Sequence, residues 1–241
     1  MDRVNKCVRF QSKRISRFVV IYLLIYVLSY GLAAAVMAIE SVRGQSHGTV
    51  NANFSYFAVI LAFIGISSAY KGLFNNLLIF GNTRSTIQCS FFTFAVLFSA
   101  ELAALSEISE LLNVCLGHFF PMIKSTGLSK VYTGLNPLQE LLWFFTLILI
   151  FVMLGYLYGA FTYKFGKIFV VGFWCGIGLL LTCSSLLSDA DLLSALYKAA
   201  VGFFGYGVPG GVYLCSLHFL ITSIVLGIIL WVITIRQPQN A

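Results

Sequence analysis

The sequence predicts an all-α integral membrane protein with six transmembrane helices. Two observations carry this prediction: the 241-residue chain is 59% hydrophobic and only 10% charged, and its apolar residues fall into long uncharged runs. Soluble proteins carry about 25% charged residues, and a chain of this length cannot bury so much apolar surface within itself. We therefore expect most helices to face lipid, in a single transmembrane domain that covers residues 1–241.

Six apolar stretches are long enough to cross the membrane, because a helix needs about 20 residues to span about 30 Å of hydrocarbon. The predicted spans are residues 18–39, 54–70, 85–100 with a continuation past Glu101, 141–163, 168–188 and 212–235. The last span follows a break at Pro209, Gly210 and Gly211, since the uncharged run 199–235 would form a helix of about 55 Å. Residues 189–210 are predicted to form an outer re-entrant helical hairpin.

The basic residues indicate the orientation of these spans. With the amino terminus inside, eleven lysines and arginines lie on the cytoplasmic side and four on the outer side. Cytoplasmic segments of membrane proteins are enriched in lysine and arginine. The sequence therefore predicts that both termini are cytoplasmic, and anionic lipid headgroups rather than nucleic acid are the expected counter-charge for the net charge of +7.

Residues 1–16 have the pattern of an amphipathic helix on the inner leaflet. At about 100° per residue, Val4, Cys7, Val8 and Ile15 share one arc, and the basic residues fill the facing side. This pattern predicts an interfacial elbow helix with its apolar face in the lipid. The alternative is a disordered basic tail that only sets the topology.

A second surface helix is predicted at residues 72–84, between the second and third spans. Gly72 can end the second helix, and Gly81-Asn82 is a turn signal, after which either Asn82 or Thr83 can cap the next helix. The segment has an apolar stripe at helical spacing, formed by Leu73, Phe74, Leu77, Leu78 and Phe80. From the residues alone, a simple connector and a docking surface for a partner are equally good interpretations.

The stretch GNTRSTIQCSFF, from Gly81 to Phe92, resembles a motif of the permease subunits of ABC type-2 exporters. In that family the stretch reads close to GxSRxxFF at the start of the third of six spans, and here Thr83 stands where serine is usual. The basic amino terminus resembles the elbow helix of these permeases, and the broken run before the sixth span resembles their re-entrant outer helices.

This resemblance implies that residues 72–84 form a coupling helix, which docks on a separate ABC ATPase subunit. The implied contact residues are Phe74, Asn75, Leu77, Leu78, Phe80, Gly81, Asn82, Thr83 and Arg84, with a smaller contact at Lys164 and Lys167. It also implies a second copy of the chain or a sister permease, surrounding lipids, and a place in the plasma membrane of a bacterium.

No catalytic chemistry is visible in the sequence. There is no GxxxxGK[ST] phosphate-binding loop, so ATP and Mg²⁺ are expected on the partner ATPase and no cofactor is expected in this chain. The six cysteines and three histidines show no metal-ligand spacing. We therefore predict a transport subunit rather than an enzyme.

Glu101 is the one acid predicted to lie within the membrane, about 20 to 24 Å along the third span. An ionised acid at mid-membrane costs about 3 kcal/mol, so Glu101 is expected at a substrate pathway or subunit interface, or else to reach towards the outer headgroups. No span carries clustered charges, which favours an amphipathic or hydrophobic substrate such as a peptide, lipid or drug. The alternative function is an ATP-independent membrane protein: a channel, an immunity factor or an assembly factor.

Overall fold

The computed structural model describes residues 2–42, 54–119, 135–186 and 210–236, and these residues form helices without any strand. Apart from Gly210, the predicted hairpin at 189–210 lies outside the described residues. The helices are α1 (Asp2–Val42), α2 (Phe54–Ile79), α3 (Arg84–Phe119), α4 (Pro137–Phe165), α5 (Lys167–Leu186) and α6 (Gly211–Ile235).

Four stretches of the described residues are long and apolar enough to cross a membrane: Phe57–Ile79, Arg84–Leu112, Pro137–Phe165 and Gly211–Ile235. Lys167–Leu179 is a shorter apolar stretch. The helical fold class is therefore confirmed for the described residues, and their four long apolar helices support a membrane-embedded protein, whereas the count of six spans stays a prediction. The first predicted span, 18–39, is helical throughout and lies within α1.

α1 is one continuous helix of 41 residues, about 62 Å long. The amphipathic residues 1–16 thus do not form a separate helix in the structure. The chain has neither glycine nor proline between Asp2 and Tyr30, so no residue interrupts the backbone hydrogen bonds. The apolar arc of this segment also packs on protein rather than facing outward, because Cys7 and Ile15 are buried against the other helices.

α4 is the central helix and packs against α2, α3, α5 and α6. Its contact with α2 is made at Gly155 and Gly159, which are spaced as a GxxxG pattern. A methyl group at Gly155 would lie 2.8 Å from the Phe63 carbonyl oxygen, and one at Gly159 would collide with the Cβ of Tyr70. Glycines at this spacing allow two helix backbones to approach closely in a membrane, so this pair sets the distance between α2 and α4.

An aromatic cluster continues from this contact towards the carboxyl end of α2. Phe91 stacks on Tyr156 with ring centroids 4.7 Å apart, and Tyr70 lies 5.5 Å from Phe91 and 5.8 Å from Phe74. Phe74 in turn meets Tyr163 edge-on at 5.5 Å. The cluster joins α2, α3 and α4 into one packed unit.

α2 does not end at Gly72 but continues to Ile79, so the predicted surface helix at 72–84 is the last part of α2 followed by a turn. One glycine inside a helix costs about 1 kcal/mol. Leu73, Phe74 and Leu77 are fully buried in the residues that follow, and burial of such side chains contributes about 1.5–3 kcal/mol each. This packing outweighs the local preference of glycine to end the helix.

Candidate functional site

Three contacts bring the predicted cytoplasmic segments together at one end of the bundle, which we call the basic end. Phe10 of α1 meets Phe80 edge-on with ring centroids 5.7 Å apart. The Tyr163 hydroxyl donates a hydrogen bond to the Asn75 side-chain oxygen at 2.9 Å, and an Arg84 Nη1–H donates to the Ile235 carbonyl. The start of α1, the turn from α2 to α3, the end of α4 and the end of α6 therefore lie side by side.

The opposite end of the bundle is marked by a contact between the starts of α4 and α6. The Gln139 amide donates to the Tyr213 hydroxyl at 2.9 Å. The Asn136 backbone carbonyl accepts the N–H groups of Gln139 and Glu140, and the Gln139 side-chain oxygen accepts from the Asn136 N–H at 3.0 Å, which is the Gln139 half of a capping box. These contacts fix the direction of α4 and α6 relative to the basic end.

The turn between α2 and α3 is held by local hydrogen bonds. Gly81 has φ of 72°, a left-handed conformation that favours glycine. The Asn82 side chain donates to the Leu77 carbonyl at 2.9 Å, and the Thr83 hydroxyl accepts the Thr86 N–H at 3.2 Å. The predicted turn is confirmed, and the helix cap is Thr83, whereas Asn82 closes the end of α2.

The predicted docking stripe is divided between the core and the surface. Phe74 and Leu77 are buried, so in this structure they are core residues and not available to a partner. The reason is the helical register, which places both residues on the buried face of α2 that also carries Tyr70. Asn75 and Leu78 are half-buried, and Phe80 is 66% exposed.

Ile79 is 78% exposed beside Phe80 and was not among the predicted contact residues. Its signal in the sequence is weak, because the run Leu77-Leu78-Ile79-Phe80 is uniformly apolar and does not show where the helix ends. Ile79 and Phe80 form the exposed apolar tip of the α2–α3 turn.

The turn between α4 and α5 is the second exposed feature of the basic end. Gly166 has φ of 63°, and Lys164 and Lys167 on either side are exposed. The Lys164 ammonium lies 5.2 Å from the centre of the Phe165 ring. Since Tyr163 is bonded to Asn75, the structure brings this predicted minor contact next to the main one.

A buried polar residue, Gln11, links α1 to the rest of the bundle. Its amide donates to the Ser90 hydroxyl at 2.8 Å, and its oxygen accepts from the Tyr156 hydroxyl at 3.0 Å. Gln11 is completely buried. The prediction from sequence overlooked it, although its position at the centre of the apolar arc of residues 1–16 was an available signal.

Glu101 lies on the outward face of α3, where its neighbours Leu97 and Ile108 are about half exposed. Within the residues that the structure describes, it forms no ion pair. A pathway enclosed by the described helices alone would not include it, whereas an interface with a second subunit would. Its functional role stays a prediction.

Among the described residues, no group of histidine, cysteine and acidic side chains is arranged to hold a metal ion. Comparison of the chain with protein-family models, with curated proteins and with solved structures gives no match. The resemblance to ABC type-2 permeases therefore rests on residues 81–92 and on the arrangement of the predicted spans.

Proposed function

We propose that this chain is the membrane-spanning subunit of an ATP-driven ABC exporter, which moves an amphipathic or hydrophobic substrate out of the cell. A separate ATPase subunit supplies ATP and Mg²⁺ chemistry, and a second permease completes the transporter. The observation that carries the proposal is the basic end: two exposed turns, α2–α3 and α4–α5, are held together by the hydrogen bond from Tyr163 to Asn75.

The contacts of the α2–α3 turn suit a coupling role. Phe80 touches α1, Asn75 is bonded to α4, and Arg84 is bonded to the end of α6. A partner that displaces this turn would therefore act directly on three other helices, α1, α4 and α6, in addition to α2 and α3, which the turn connects. Packed side chains and hydrogen bonds of this kind carry energetic coupling between distant sites.

The proposed second permease has an apolar surface available to it. α6 exposes large side chains along most of its length, including Leu217, Ile224 and Ile228, each more than 50% exposed. α3 exposes Leu97 and Glu101 on its own outward face. Lipid covers such a surface where no subunit does, but the acid favours a protein interface.

We expect Phe80→Ala to weaken recovery of the ATPase by about 30-fold, because an exposed aromatic anchor can contribute about 2 kcal/mol to a small interface. Arg84→Ala should change recovery much less, since an exposed charge contributes little to binding, and should instead reduce the response of ATP hydrolysis to substrate. The tagged chain is purified from its own cells, and the recovered ATPase is quantified by hydrolysis in lipid.

Leu138→Ala is the matched control, because Leu138 is 79% exposed at the opposite end of the bundle. Full ATPase recovery with Phe80→Ala would contradict the docking role of the turn. If no ATPase is recovered with the unaltered chain, the ATP-independent alternative becomes the better hypothesis.

The basic end is proposed to face the cytoplasm, and paired cysteine variants test this orientation. In a chain without its native cysteines, we expect Leu138→Cys to react with a membrane-impermeant maleimide on intact cells. Lys164→Cys, at the other end of the same helix, should react only after the cells are permeabilised. The reverse pattern would show that the orientation is wrong.

A further inference from the structure

A cavity of about 480 Å³ lies between the first turns of α1 and the α2–α3 turn. Its size is within the range of roughly 300–1,000 Å³ that is usual for ligand pockets. Basic side chains from α1 form one part of its wall, and apolar side chains from both elements form another. The lining residues are Arg3, Lys6, Cys7, Phe10, Leu77, Phe80, Gly81 and Asn82.

The charged part of the wall is suited to an anion. Arg3 and Lys6 are both exposed, and Lys6 pairs with Asp2 at 2.7 Å. That hydrogen bond and the charge of Lys6 lower the pKa of Asp2, so the acid is ionised at neutral pH and partly neutralises Lys6. Among the described residues, Arg3 forms no ion pair, which leaves its guanidinium free to bind an incoming anion.

The apolar part of the wall favours a ligand that carries an apolar group next to its negative charge. Cys7 and Leu77 are buried beneath the cavity, and burial raises the pKa of the Cys7 thiol, which keeps it neutral. The rings of Phe10 and Phe80 meet edge-on beside it, and Phe80 is 66% exposed. A ligand that covers this ring needs an apolar portion next to its negative charge.

The position of the cavity in the bundle indicates which class of amphipathic ligand it binds. The stretch of α2 that is long and apolar enough to cross a membrane, Phe57–Ile79, ends immediately before Phe80. The cavity therefore lies at one end of this apolar stretch, where we infer that hydrocarbon gives way to headgroups. We propose that it binds one anionic phospholipid, with the phosphate at Arg3 and Lys6 and the start of an acyl chain on Phe10 and Phe80. This proposal does not rest on the proposed transport function, because it concerns the isolated chain and its lipid.

Native mass spectrometry of the purified full-length chain, titrated with phosphatidylglycerol or phosphatidylcholine, tests the proposal. We expect one saturable phosphatidylglycerol adduct. The double variant Arg3→Gln/Lys6→Gln should weaken it by roughly 30-fold, since each basic residue near a lipid surface contributes about fivefold. Asp2→Asn should strengthen binding, because it leaves Lys6 unpaired.

Two matched variants separate a defined site from general charge. Lys13→Gln/Arg17→Gln removes the same charge from exposed positions of α1 that do not line the cavity, and it should change binding less than twofold. The charge-preserving Arg3→Lys/Lys6→Arg variant should keep the phosphatidylglycerol adduct. This result would show that the loss of the adduct in Arg3→Gln/Lys6→Gln is not caused by misfolding.

Several results would overturn the proposal. Equal weakening by both glutamine variants would indicate diffuse attraction without a site. Competition by glycerol phosphate at the affinity of the lipid would reduce the site to a headgroup-only anion site. Unchanged lipid binding in Arg3→Gln/Lys6→Gln, with loss of a co-purifying protein, would assign the cavity to an acidic protein partner.

Discussion

Gly159→Leu is expected to prevent assembly of the helix bundle. A side chain at this position would collide with Tyr70, and the Ser67 carbonyl oxygen lies 3.2 Å from the place of its Cβ. Because backbone and a buried ring cannot move aside as a flexible side chain can, α2 and α4 would have to separate. We expect a loss of about 3 kcal/mol or more of stability, at the upper end of the range for overpacked cores.

The measurements are thermal unfolding of the detergent-solubilised chain and its monodispersity in size-exclusion chromatography. Gly172→Leu is the matched control, since Gly172 lies on α5, where no described residue outside its own stretch of backbone comes within 4 Å of the place of its Cβ. It should behave as the unaltered chain does. A stable, monodisperse Gly159→Leu variant would show that α2 and α4 do not pack through this glycine.

Phe74→Ala is expected to destabilise the chain by about 3–5 kcal/mol, the usual cost of removing a buried phenylalanine. Phe74 is completely buried between the rings of Tyr70 and Tyr163. Its loss would also loosen Tyr163, whose hydroxyl is bonded to Asn75. The effect should therefore reach both turns of the basic end.

Phe80→Ala provides the comparison, because it is the same substitution six residues later at a 66% exposed position. In thermal unfolding of the solubilised chain, Phe80→Ala should lower the midpoint far less than Phe74→Ala. Equal midpoints for the two variants would contradict the division of this segment into a core residue and a surface residue.

The helices and most of their ends could be predicted from the sequence, since charge-free runs and turn residues are local signals. The predicted start at Ser85 lies one residue from the observed start of α3, and the predicted start at Val212 lies one residue from that of α6. The end of α2 could not be predicted, because it depends on burial of Leu73, Phe74 and Leu77 against other helices.

The candidate site was predicted as a segment but not residue by residue. In a membrane protein both core-facing and lipid-facing side chains are apolar, so composition does not distinguish Phe74 from Phe80. The GxxxG spacing of Gly155 and Gly159 was present in the sequence, but its partner, the face of α2 around Tyr70, is known only from the packing.

The buried bonds of Gln11 also have a consequence for biosynthesis. Tyr156 follows Gln11 by 145 positions, so at about 5–20 residues per second it is made about 7 to 30 s later. During this interval the Gln11 amide has neither Tyr156 nor, at first, Ser90 to bond with. The amino-terminal part of α1 therefore cannot complete its native hydrogen bonds until α4 has been translated. The segment of the chain that is made first is thus among the last to reach its native contacts.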